Sequence, residues 1–68
     1  METMKERRKK LHLSQEKMAE ALDVERSTVA KWESGTLPRS DKLSSIARLF
    51  GCSVDDVLNS ISINRKKM

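Results

Sequence analysis

The sequence predicts an all-α fold: five short helices packed as one domain. Three observations carry that expectation. Apolar residues recur at helical spacing along nearly the whole chain, as in Met18, Ala19 and Leu22 and again in Leu43, Ile46, Ala47 and Phe50. These runs are punctuated by residues that start or stop helices: Thr3, Ser14, Ser40 and Ser53 on one side, His12, Asp23, Gly35 and Gly51 on the other. Strand signals are sparse, with no Tyr, one Phe, one Trp and no long β-branched run. A chain of 68 residues buries only ~60% of its unfolded surface. A single cysteine, Cys52, excludes an intrachain disulfide or a thiolate metal cluster as a staple. Compact helices with short loops are the economical solution.

Thr3 and Glu6 form a capping-box pattern, so a first helix is expected over 4–11. Met4, Arg8 and Leu11 share its inward face, with Arg7 at the border. An arginine in an apolar stripe requires a partner, because burying it unpaired is costly. His12 stands where this helix must stop and tolerates positive φ better than most side chains. Ser14 caps the second helix, with Leu13 and Met18 as a hydrophobic staple. That helix ends at Leu22, and Asp23 takes a turn position where Gly would be unstrained. Glu25 is the expected cap of the third helix, Val29 and Trp32 are its inward residues, and Gly35 is its stop. In the loop that follows, Leu37 is the expected inward plug. Ser40 caps the fourth helix, which Gly51 ends. Ser53 and Asp56 open the fifth, where Val54, Val57, Leu58 and Ile61 continue at helical spacing. Residues 1–61 therefore form the expected domain, and residues 62–68 a short basic tail.

Net charge is +4, with a sequence pI near 9.6, which points to an anionic partner. The distribution weakens that inference. Residues 5–10 hold five bases and one acid, and Arg65, Lys66 and Lys67 add three more bases. What remains has 6 basic groups against 9 acidic ones, and residues 14–35 have three against five. Nucleic-acid binding must therefore rest on where particular cations point. Other classes are poorly supported. No stretch approaches the ~20 apolar residues of a membrane span, and the basic N-terminal run lacks both a following apolar segment and an opposing apolar face. His12 has no second ligand-type residue spaced to join it, so no metal or cofactor is expected. No titratable pair is placed as nucleophile and base, so an enzyme is not expected. Trp32 and Phe50 lie inside apolar patterns and read as core rather than as stacking platforms. A reducing, cytoplasmic setting fits the lone Cys52.

Three segments then occur in a telling order. LSQEKMAEAL, VERSTVAKWESG and LSSIARLFGCSVDDVL resemble the second helix, the recognition helix and the closing helix pair of Cro and phage-repressor proteins. That is the xenobiotic-response-element-like helix-turn-helix family. The resemblance spans about residues 4–58 and implies a five-helix, lambda-repressor-like DNA-binding domain, with the helix-turn-helix motif at 14–35. It places Arg26, Ser27 and Lys31 at base-reading positions, with Thr28 touching either bases or backbone. It places Gln15 on a phosphate, with Ser34, Thr36 and Arg39 along the adjacent strand. It also pairs Arg8 with Glu33 beneath the motif, which supplies the partner Arg8 needs. The chain departs from the family pattern at Arg7, commonly aliphatic, and at His12 and Asp23, commonly glycine.

The resemblance implies a bacterial or phage regulator that binds double-stranded DNA in a sequence-specific way and represses by occupying an operator. One such module buries only ~600–1,000 Å² of DNA interface. A homodimer on a near-palindromic site is therefore expected, with Leu49, Leu58, Ile61 and Ile63 as candidates for the dimer surface. The alternative is a helix-turn-helix used as a protein-interaction module, such as an antitoxin or accessory regulator, and the acidic motif segment is the reason to retain it.

Overall fold

The computed structural model describes residues 3–61, which form five helices and no strand. They are α1 (Met4–Lys10), α2 (Gln15–Leu22), α3 (Arg26–Glu33), α4 (Ser40–Phe50) and α5 (Val54–Ser60). Helix α2 packs on α3 and α4 on α5, while α1 reaches α3 and α2 reaches α4. Among the described residues, no helix is long and apolar enough to cross a membrane.

The helix starts follow from local chemistry. Thr3 and Ser53 each accept from the backbone amide three residues on, and Glu6 and Asp56 return the bond to complete two capping boxes. Ser14 caps α2 through the Lys17 amide at 3.0 Å. Helix α3 begins at Glu25 without a side-chain cap. The cap of α4 differs from expectation: Arg39 holds that position, with no side-chain bond, and Ser40 is already helical. The residue preceding Ser40 is extended, so the chain turns into the helix one step earlier than a serine cap requires.

Four of the helices stop by one device. The residue after the last turn takes positive φ, and two backbone bonds fold back on the helix. At α1 this residue is His12 (φ 59°), with Leu13 N–H donating to Arg8 C=O. At α2 it is Asp23 (φ 59°), with Val24 N–H donating to Ala19 C=O. Gly35 and Gly51 do the same for α3 and α4, through Thr36 and Cys52 respectively. Val24 and Cys52, the residues just beyond two of these turns, are half-buried and pack against the core. Cys52 is thus a small apolar filler held in place by the stop of α4.

The core gathers Met4, Met18, Ala19, Leu22, Val29, Trp32, Ile46, Ala47, Val57 and Ile61, so every helix or its end contributes to it. Three expectations need correction. Leu11 is 41% exposed rather than inward, because α1 ends at Lys10 and the chain turns before Leu11 can continue the stripe. Leu37 is 56% exposed, and its neighbour Pro38 is buried instead. A proline has no amide proton to leave unsatisfied, so it enters the interior of an irregular loop at low cost. Ile61 is a core residue, not surface for a dimer, because the helix register that buries Val57 also brings in the residue four further on. Ile63 lies outside the described residues.

Candidate nucleic-acid interface

Helix α3 divides into two faces. Val29 and Trp32 are buried. Arg26, Ser27, Lys31 and Ser34 are exposed, and Thr28 and Ala30 are half-buried between the two faces. At ~100° per residue, Ser27, Lys31 and Ser34 form one outward stripe. Arg26 does not belong to it, since five residues separate it from Lys31 and place the two about 140° apart. As the first residue of the helix, Arg26 projects from its tip.

This face is held by a polar knot at the opposite end of α3. Arg8 Nε donates to Glu33 Oε2 at 2.6 Å, and Arg8 Nη2 donates to Glu33 Oε1 at 3.4 Å. Both side chains are over nine-tenths buried. Arg8 Nη1 donates to Leu13 C=O at 2.8 Å, tying the α1–α2 turn to the same guanidinium. Gln15 Nε2 donates to Glu33 Oε1 at 3.0 Å. One carboxylate therefore joins α1, α2 and α3. Buried ions require this degree of pairing, because each uncompensated charge costs several kcal/mol of desolvation. The Gln15 bond has no sequence signal, because residues 15 and 33 belong to no common local pattern.

The other site candidates separate into free and committed groups. Among the described residues, no side-chain hydrogen bond or ion pair engages Arg26, Ser27, Thr28, Lys31 or Thr36. Arg39 sits 3.9 Å from Asp41, a loose and exposed pair of little energetic weight. Ser34 is committed: its hydroxyl donates to Ala30 C=O and Lys31 C=O, both at 3.1 Å. A phosphate ester only accepts hydrogen bonds, so Ser34 in this arrangement has no proton to offer one. Lys42 of α4 was not a sequence candidate, yet its Nζ donates to Leu22 C=O at 2.8 Å and caps the end of α2. No three His, Cys, Asp or Glu among the described residues are grouped to hold a metal ion.

Two short helices meet across a tight turn, and the second carries a polar stripe in which the Ser27 and Lys31 side chains are unengaged. The helix-turn-helix family profile matches residues 4–57, which is most of the chain. The chain belongs to this helix-turn-helix family. Its members of the Cro and phage-repressor type are DNA-binding transcription regulators. A relative in Enterococcus faecalis, described as an HTH-type transcriptional activator, BcrR, is 39% identical over 49 residues. That match covers 71% of this chain but 24% of the relative, so the chain spans about a quarter of the length of the relative it matches. No solved structure gives a significant match. In helix-turn-helix terms, α2 is the supporting helix and α3 the recognition helix. The Arg8–Glu33–Gln15 knot lies behind the motif rather than on its reading face.

Proposed function

We propose that this helix-turn-helix protein is a sequence-specific, double-stranded DNA-binding transcription regulator. The unengaged Ser27 and Lys31 side chains of the α3 stripe carry the reading. A recognition helix must bring side chains that are free, short or cationic to base edges in the major groove, and Ser27 and Lys31 satisfy this together. Thr28 flanks them, and Arg26 meets the DNA from the helix tip. Gln15, Thr36 and Arg39 serve the phosphate backbone. The protein works as a homodimer on a palindromic operator, with half-sites about one helical turn (~34 Å) apart, and represses by occupancy. Leu49 and Leu58, half-buried on α4 and α5, belong to the dimer surface. The location of such a regulator is the cytoplasm.

The test begins with selection of bound duplexes from a random pool. Anisotropy on the selected duplex then compares the intact chain with Lys31→Ala. Loss of a base contact should weaken binding by ~1–3 kcal/mol and relax preference at one position. Failure of the intact chain to show salt-dependent binding to any duplex overturns the proposal. The acidic balance of residues 14–35 favours one competing reading, a module that binds a partner protein. Tight partner binding without DNA affinity would be its signature.

A further inference from the structure

Lys42, in the first turn of α4, donates from Nζ to the backbone carbonyl of Leu22, the last residue of α2, at 2.8 Å. The bond has a local reason. The last carbonyls of a helix have no partner within it. Those of Ala19 and Glu20 accept from the amides of Val24 and Asp23, and that of Leu22 is taken by Lys42. The end of a helix also carries partial negative charge, and the last turn of α2 contains no basic residue of its own. An ammonium from α4 meets both needs. The same bond constrains the chain between its ends. Lys42 lies twenty residues beyond Leu22. Between them are the turn at 23–25, the whole of α3 and the loop that leads to α4. The bond therefore closes the loop that carries the recognition helix. Helix α3 starts without a side-chain cap, so its first turn depends on where residues 23–25 are held. Its last residue, Glu33, is held separately by Arg8 and Gln15.

We infer that Lys42 is a positioning residue for DNA recognition: by closing this loop, it sets where the first turn of α3, with Ser27, lies against the bases. The inference rests on the DNA-binding reading and gives Lys42 no contact with DNA. Without the ammonium, the knot at Glu33 still holds the far end of α3, and the helix tilts about that end. At ~1.5 Å of rise per residue, Ser27 lies about 9 Å from Glu33 along the axis and Lys31 about 3 Å. A tilt therefore moves Ser27 about three times as far as Lys31.

The experiment compares the intact chain with Lys42→Met, Lys42→Arg, Ser27→Ala and Lys31→Ala. Affinity is measured on the selected duplex, on its single-base variants and on a scrambled duplex, across salt concentrations and below the melting transition of each protein. Met keeps an unbranched apolar stem and removes the donor, whereas Arg keeps a cationic donor. Lys42→Met should weaken the selected duplex by roughly 5- to 150-fold, the range for one base contact. It should relax the base position that Ser27→Ala relaxes and keep the one that Lys31→Ala relaxes. Affinity for the scrambled duplex and the slope of log affinity against log salt should match the intact chain, because no phosphate contact is removed. Lys42→Arg should retain the base preference. In the free protein, Lys42→Met should speed hydrogen exchange at the Thr28 amide, which donates to Glu25 C=O in the first turn of α3. Exchange at the Ser34 amide, just beyond Glu33, should not change. Should Lys42→Met not fold, Lys42→Gln carries the same comparisons. A lower salt slope with both duplexes weakened alike makes Lys42 a phosphate contact and overturns the inference. An unaltered base preference overturns it too, as does equal relaxation at the Ser27 and Lys31 positions, the mark of a domain that is only destabilised. An intact chain that binds no duplex overturns the DNA-binding reading itself, on which the exchange contrast does not depend.

Discussion

Glu33 accepts hydrogen bonds from two helices other than its own, and it does so while almost wholly buried. Replacing it with Ala leaves the Arg8 guanidinium charged, buried and without its counter-ion. The expected loss is ~3–5 kcal/mol, the range for breaking one side of a buried pair. For so small a domain that is a large share of total stability. Urea unfolding of Glu33→Ala measures it, and a midpoint that hardly moves would show that the pair is dispensable. Asp23 makes the opposite kind of prediction. It holds φ 59° at the end of α2, where an L side chain costs ~1–2 kcal/mol and glycine escapes the clash. Part of that gain returns as extra freedom of the unfolded chain. Asp23→Gly should therefore raise stability by about 0.5–1 kcal/mol in the same urea assay, and a lower midpoint would mean that the aspartate side chain stabilises the turn.

The recognition helix is the least well started of the segments that carry function. Helices α1, α2 and α5 have side-chain caps, but Glu25 gives α3 only a nearby negative charge. Glu25→Asp retains the charge and shortens the side chain to one that can accept from the helix amides. A gain of about 0.5–1 kcal/mol is expected, visible as a higher melting temperature by circular dichroism. An unchanged melt would mean that the Glu25 backbone does not permit the cap. Helix boundaries were legible because starts and stops are local. Thr3, Ser14, Glu25, Asp23, His12 and Gly51 each act within one helical turn of themselves. The cap of α4 and the end of α1 each fall one residue from expectation, whereas at Leu37 and Lys42 the deciding contact is distant. Leu37 and Pro38 are both apolar, and only the path of the loop across the core buries one and exposes the other. Lys42 caps α2 from a helix twenty residues away, for which no local pattern exists.

For the assembled protein, the proposed dimer is a claim about spacing. Two recognition helices of a symmetric pair must meet equivalent grooves on one side of the duplex. Selected sites should therefore contain two inverted half-sites with centres about 10–10.5 base pairs apart. Inserting five base pairs between them rotates one half-site to the opposite side of the duplex and should abolish the tight complex in an anisotropy titration. Binding unaffected by that insertion would indicate a monomer reading a single half-site.

The sequence by itself determined the class of fold, the five helices, the stops of the first four and the inward residues Met18, Ala19, Leu22, Val29 and Trp32. All of these follow from short-range steric rules and from the 3.6-residue period. From resemblance it also suggested which side chains on α3 face outward. Only the tertiary structure decided what holds that face and which of its groups are free. It brought Gln15 to the Glu33 carboxylate, turned the Ser34 hydroxyl back onto its own helix and sank Ile61 into the core. The physical reason is that such pairings depend on how rigid helices cross. A crossing is fixed by the packed core as a whole, not by any stretch of chain short enough to be read as a pattern.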